Sequence, residues 1–164
     1  MTENTPSLEA GQAVPEFSLT ATSGITISTK DLNGRFTVIY FYPKDSTPGC
    51  TTEGQDFKSH YEAFKDLNCE IYGVSRDSLK SHENFKCKQA FPFELISDSQ
   101  EILCNIFNVI KLKKLYGKEY LGVDRSTFLI DESGILRCEW RGVKVKGHVE
   151  AVLNKVREIS TSTH

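Results

Sequence analysis

The sequence predicts an α/β fold: a central mixed β-sheet flanked by helices, with a β-hairpin near the N-terminus. Three observations predict it. Strand-like and helix-like segments alternate from residue 37 to residue 107, residues 37–42 form a nearly continuous β-branched and aromatic run, and Val149, Val152, Leu153, Val156 and Ile159 make one apolar helical stripe. Short apolar runs of this kind suit strands covered on both faces. Their alternation with helices suits a sheet sandwiched between helical layers.

The elements follow in order. Two apolar–polar segments, 17–20 and 25–28, flank Ser23-Gly24 and read as a hairpin. The run 37–42 reads as a buried strand, stopped by Pro43. Phe57, Tyr61 and Phe64 fall at i, i+4 and i+7, which predicts one amphipathic helix after Cys50. Residues 70–75 read as a second strand, 78–90 as a helix with Pro92 just beyond it, 93–96 as a third strand and 99–107 as a short helix. Lys111, Lys113, Lys114 and Lys118 read as a solvated basic loop, with Tyr116 and Tyr120 as candidates for the mouth of a pocket. Segments 127–130 and 135–140, joined by Asp131-Glu132-Ser133-Gly134, read as a second hairpin on which Leu136, Cys138 and Trp140 share one face. Gly147 precedes the last helix, and residues 160–164 read as a frayed tail.

With 164 residues, 38% hydrophobic and 26% charged, the chain reads as one globular domain over residues 1–164. A net charge of -2 gives no electrostatic footprint for nucleic acid. The first twelve residues lack the basic start and apolar run of a secretory signal. No apolar stretch approaches the ~20 residues of a membrane-spanning helix, so a cytoplasmic location is expected. The five cysteines, Cys50, Cys69, Cys87, Cys104 and Cys138, are an odd number, which argues against a structural disulfide framework in such a compartment. No pair is spaced Cys-x-x-Cys and the four histidines do not cluster beside them, which argues against a zinc site. The missing Cys-x-x-Cys also weakens a dithiol oxidoreductase of the thioredoxin type. His60, His82 and His148 have no evident partner in the sequence and receive no catalytic role.

The chemistry concentrates in Pro43-Lys44-Asp45-Ser46-Thr47-Pro48-Gly49-Cys50. Thr47 is a favoured N-cap and Pro48 fits the first helical position, so Cys50 falls in the first turn of a helix. Free N–H groups and the positive end of the helix dipole favour a thiolate there, and the thiolate is the reactive form. The Thr47 hydroxyl sits close enough in sequence to serve a small substrate as donor or acceptor. Taken alone, the segment fits a buried first-turn cysteine about as well as a reactive one.

Pro43-x-x-x-Thr47-x-x-Cys50 resembles the active-site signature of peroxiredoxins. The longer stretch Phe41-Tyr42-Pro43-Lys44-Asp45-x-Thr47-Pro48-Gly49-Cys50-Thr51-x-Glu53 is similar to the bacterioferritin comigratory protein, or peroxiredoxin Q, branch. Gly73-Val74-Ser75 with Asp77, Ser81-His82-x-Asn84-Phe85, Pro92-Phe93-x-Leu95-x-Ser97-Asp98 and Arg125-Ser126-Thr127-Phe128-Leu129-Ile130-Asp131 extend the resemblance over about residues 11–159. It implies a thioredoxin-like fold and a thiol peroxidase acting on hydrogen peroxide and organic hydroperoxides. Cys50 would become a sulfenic acid. Thr47 would hydrogen-bond the peroxide and the thiolate, Pro43 would shield the pocket, and Arg125 would hold the thiolate and polarise the peroxide. Glu53 would orient Arg125 or serve as a first-turn acid. No metal or organic cofactor is required. A monomer, a role in protection against oxidative stress, and thioredoxin or a similar dithiol reductant are implied as well. A peroxide sensor or relay that passes oxidation to a partner protein is the alternative, with the same site and little turnover.

One departure concerns recycling. Many members of the branch carry a second cysteine five residues after the first, where this chain has Gln55. Others place it in the following helix, which points to Cys87, 37 residues after Cys50 (87 − 50). Relatives often set that cysteine directly after a phenylalanine, whereas Lys86 intervenes here, a displacement of about 100° around a helix. Phe85 anchors the apolar face, so Cys87 should be exposed, with Lys86 and Lys88 beside it lowering its pKa. Cys104, expected to be semi-buried, is the second choice, while Cys69 and Cys138 read as structural. A Cys50–Cys87 disulfide would require local unwinding, since its Cα atoms must come within ~7 Å.

Overall fold

The computed structural model describes residues 8–162. The chain first forms an antiparallel hairpin of β1 (Ser18–Thr20) and β2 (Thr26–Ser28), with a tight turn through Ser23 (φ 64) and Gly24 (φ 70). Strand β3 (Phe36–Phe41) follows with all six residues buried, as its composition demands. The loop after it leads into α1 (Pro48–Ser59) and α2 (Tyr61–Asp66). The single helix expected here is two. His60 departs from helical geometry (φ -105, ψ 5), and its ring nitrogen Nδ1 lies 2.9 Å from the Asp56 carbonyl oxygen, engaging an acceptor at the end of α1. Phe57 and Phe64 stay fully buried across the break, as their spacing predicts, although the backbone is not one continuous helix.

Strand β4 (Cys69–Ser75), α3 (Leu79–Gln89) and β5 (Glu94–Ser97) complete the parallel part. Ser78 caps α3 by accepting from the Ser81 N–H at 3.1 Å. Helix α4 (Ile102–Ile106) is shorter than expected, because Glu101 adopts a left-handed conformation (φ 61) that bars an earlier start. Strands β6 (Ile110–Leu115) and β7 (Lys118–Val123) form an antiparallel hairpin where a loop was expected. Its turn is Tyr116-Gly117, both at positive φ (53 and 77), with Tyr116 94% exposed at the tip. Strands β8 (Ser126–Ile130) and β9 (Leu136–Trp140) and the long helix α5 (His148–Ser162) end the described chain. Residues 160–162, expected to fray, continue α5, and Thr163 and His164 lie outside the described residues.

The main sheet has the order β5-β4-β3-β8-β9. β3 and β4 are parallel, as are β4 and β5, while β8 runs antiparallel to both β3 and β9. Alternation along β3 separates two cores. Ile39 and Phe41 face the N-terminal hairpin, α4 and Phe107, whereas Val38 and Tyr40 face Phe57, Phe64, Phe85 and the apolar stripe of α5. The register shifts between Leu129 and Ile130, which pair with Cys138 and Leu136, and so skips Arg137. This bulge turns Leu136 into the first core, while Cys138 and Trp140 pack against the second, so the three do not share a face as expected. Cys104 is fully buried rather than semi-buried. Among the described residues, no helix is long and apolar enough to cross a membrane.

Candidate active site

The end of β3, the start of α1 and the start of β8 meet in one place. Pro48 opens α1 and Thr47 occupies the N-cap position with extended geometry (φ -88, ψ 155). The Thr47 hydroxyl does not cap the helix amides. It donates to the Lys44 carbonyl at 2.9 Å and so folds the loop on itself. Cys50 lies in the first turn, where N–H groups have no intrahelical acceptor, and is 2% exposed.

Arg125 reaches this turn from the residue before β8. Its Nη2 donates to Cys50 Sγ at 3.3 Å and its Nη1 to Glu53 Oε1 at 2.5 Å. The Arg125 carbonyl accepts from Val143 N at 2.9 Å, which fixes its backbone. Gly49 eases this approach, because a Cβ there would lie 3.2 Å from Nη2, tighter than an ordinary contact. Burial pulls the Arg125 pKa down, but Glu53 and Cys50 outweigh it and the net shift is upward, so the guanidinium is a fixed cation. Removing a preorganised donor of this kind from a developing charge costs about 10²–10³ in rate. Arg125→Met is therefore expected to slow Cys50 oxidation by about that factor in stopped-flow measurements, and an unchanged rate would remove Arg125 from the chemistry.

Glu53 is fully buried on α1, and its Oε2 has no hydrogen-bond partner. Burial raises its pKa to about 7, against the opposing pull of Arg125. The folded state thus binds a proton that the unfolded chain releases near the ordinary value of 4.5. Stability contributed by the neutral carboxyl is present below that value and is lost as pH rises toward about 7. Glu53→Gln, which cannot ionise, is expected to show a shallower fall in unfolding free energy between pH 4.5 and 7 than the unmodified chain. Parallel curves from denaturant titrations would contradict it.

The loop itself is held from below. Asp45 is buried, and its Oδ1 accepts from the Tyr42 hydroxyl at 2.6 Å. Its Oδ2 accepts from Ser81 Oγ at 2.8 Å and from His82 Nδ1 at 2.7 Å. His82 Nε2 lies 2.9 Å from the Ile96 carbonyl, so both ring nitrogens face oxygen partners. The Asp45 N–H donates to Asp77 Oδ2 at 2.9 Å. Sequence reasoning missed this network. The sequence shows no partner for His82, although Asp45 stands inside the segment 43–50 that carries the chemistry. His148, also without an expected partner, lies 2.7 Å from Thr127 Oγ1, and burial and Arg125 together lower its pKa to about 4.

All five cysteines are free thiols. The structure brings together Cys50, Arg125 and Glu53, with Thr47 and Pro43 in the adjoining loop, and it does not bring Cys87 to them. Cys87 is exposed on the last turn of α3, where it lines a surface cavity of about 340 Å³ with Glu83, Lys86 and Phe91. Lys86 is committed elsewhere, donating to the Phe91 carbonyl at 3.0 Å. Cys104 and Cys69 are sealed in the two cores, and burial pushes both thiols well above their ordinary pKa. The Cys104 N–H donates to Asp98 Oδ2 at 2.8 Å, which makes that segment part of the α4 cap.

Residues 10–138 match the AhpC/TSA family. The chain is 48% identical over 153 residues to the peroxiredoxin Bcp of Bacillus subtilis, covering 93% of this chain and 98% of the relative. A structure of Xanthomonas campestris bacterioferritin comigratory protein, described in terms of its alkyl peroxide reduction activity, superposes with a TM-score of 0.87 at 48% identity, covering 93% of this chain and 98% of that one. A peroxiredoxin Q mutant from Xylella fastidiosa superposes with a TM-score of 0.89 at 41% identity, covering 95% and 99%.

Proposed function

The chain belongs to the AhpC/TSA family as a thioredoxin-like peroxiredoxin of the Bcp/peroxiredoxin Q branch, a thiol peroxidase, and from that membership we propose that Cys50 is its peroxide-reacting residue. The carrying observation is the Arg125 guanidinium 3.3 Å from Cys50 Sγ at the start of α1. The thiolate attacks one peroxide oxygen, the O–O bond breaks, and the other oxygen leaves with its electron pair and takes a proton, as water or an alcohol. Cys50 is left as a sulfenic acid. Arg125 stabilises both the thiolate and the charge developing on the leaving oxygen. Pro43 and Thr47 shape the loop over the sulfur, and Glu53 holds the guanidinium in place. The substrates are hydrogen peroxide and small organic hydroperoxides, in line with the alkyl peroxide reduction ascribed to the Xanthomonas relative.

For recycling, Cys87 attacks the sulfenic acid, water leaves, and an intramolecular disulfide forms. A thioredoxin-type dithiol then reduces it by exchange. Exposure of Cys87 supports this role, and the buried, high-pKa thiol of Cys104 speaks against the second choice. Peroxide consumption with a thioredoxin recycling system tests the scheme. Cys104→Ser should keep cycling, while Cys87→Ser should stop after one oxidation per Cys50. Continued thioredoxin-linked cycling by Cys87→Ser would refute the pairing. Failure of the unmodified chain to turn over would favour a relay over an enzyme.

A further inference from the structure

The turn that carries Cys87 is fastened to the helix that carries Cys50. Gln89 ends α3 and Ala90 follows it in the left-handed conformation (φ 56, ψ 45). The Ala90 N–H donates to the Cys87 carbonyl at 3.2 Å and the Phe91 N–H to the Lys86 carbonyl at 3.1 Å, a Schellman ending. Such endings usually place glycine at the left-handed position, and a Cβ there costs free energy. This ending is therefore intrinsically weak, and the Gln89 carbonyl is one of those a helix end leaves without an internal donor.

Helix α1 supplies what is missing. Gln55 Nε2 donates to the Gln89 carbonyl at 3.2 Å and to Gln89 Oε1 at 2.9 Å. Lys58 Nζ donates to the same carbonyl at 3.0 Å. One turn earlier, the Phe91 ring lies so close to Gly54 that a Cβ there would fall 2.4 Å from it. The end of α3 thus rests on three residues, Gly54, Gln55 and Lys58, of the helix whose first turn presents Cys50.

We propose that Gln55 and Lys58 are positioning residues that keep the Cys87 turn folded and thereby set how the Cys50 sulfenic acid is partitioned. The inference rests on Cys87 as the resolving residue. Two reactions compete for the sulfenic acid. Attack by the Cys87 thiol forms the disulfide and releases water, and it requires the end of α3 to leave α1. A second peroxide instead transfers an oxygen to the sulfur, giving a sulfinic acid and an alcohol or water. A tighter clamp slows the first reaction and leaves the second untouched, because neither residue touches Cys50.

Gln55→Ala/Lys58→Met tests the clamp. In the reduced protein, hydrogen exchange at the Ala90 and Phe91 amides should quicken roughly tenfold, as expected for losing hydrogen bonds of ordinary strength. Peptide mass analysis after a peroxide titration should show a severalfold smaller sulfinic fraction and more Cys50–Cys87 disulfide, with the Cys50 oxidation rate unchanged. Lys58→Arg, which keeps a donor, should exchange more slowly than Lys58→Met. Unchanged exchange, or faster exchange with the same sulfinic fraction, overturns the inference alone. Absence of the Cys50–Cys87 disulfide from the unmodified protein overturns the resolving assignment, and the partition claim with it.

Discussion

Cys50→Ser is expected to bring peroxide consumption down to the level without protein while leaving the fold intact. The position is 2% exposed and packs among core side chains, so the replacement must be nearly isosteric, and serine is. Serine also accepts the hydrogen bond that Arg125 Nη2 now gives to the sulfur. What it lacks is ionisation. A hydroxyl is too weak an acid to supply an anionic nucleophile at neutral pH, whatever guanidinium lies beside it. The loss therefore belongs to the chemical step and not to stability. Peroxide disappearance measured against time, with circular dichroism on the same samples, separates the two. Residual consumption above background by a well-folded Cys50→Ser protein would move the reacting thiol elsewhere, and the only exposed candidate among the cysteines is Cys87.

The local part of this site was legible because its determinants are local. Thr47 at the N-cap position and Pro48 at the first helical position place Cys50 in the first turn without reference to the rest of the chain, although the Thr47 hydroxyl turns to the Lys44 carbonyl and not to the helix amides. The strand composition at residues 37–42 and 127–130, and the α5 stripe, predict burial that the packing realises. What escaped was set by distance or by competition between signals. Asp45 and His82 are 37 residues apart, and only the parallel pairing of β3 and β4 brings α3 beneath the loop. The β6–β7 hairpin did carry a signal, the alternation Ile110-Lys111-Leu112-Lys113 with Gly117 at the turn, but its lysines read as a solvated loop. A two-residue turn with both φ values positive is the common hairpin solution. The bulge at Arg137 follows from register, and a strict alternation pattern cannot reveal it. Cys104 sits on a helix of five residues, too short for periodicity to show which face is buried.

Breaking the Asp45–His82 pair is expected to cost about 3–5 kcal/mol of stability, the range for leaving a buried charge without its partner. His82→Leu strands the Asp45 carboxylate and removes the donor to the Ile96 carbonyl, and Asp45→Asn leaves His82 Nδ1 facing an amide in place of a carboxylate. For a chain of this size the melting temperature should fall on the order of 10 °C. The pH dependence has a definite sign. Burial alone would raise the Asp45 pKa, but hydrogen bonding and charge attraction from His82, helped by Tyr42 and Ser81, bring the net value below the ordinary 3.8. A depressed carboxylate contributes stability that is present above the unfolded value and is lost as pH falls through the folded one. The gap between Asp45→Asn and the unmodified chain should therefore be full at neutral pH and shrink below about pH 4. A gap that stays constant down to pH 2 would mean that the substitution acts through packing. The pair also joins the Cys50 loop to α3, so its loss should loosen the loop and that helix together. Cys50 oxidation should fall less in His82→Leu than in Arg125→Met, because the pair positions the loop while Arg125 touches the sulfur. If His82→Leu instead proves the slower of the two at a temperature where both are folded, the loop's placement limits peroxide attack more than the charge on Arg125 does.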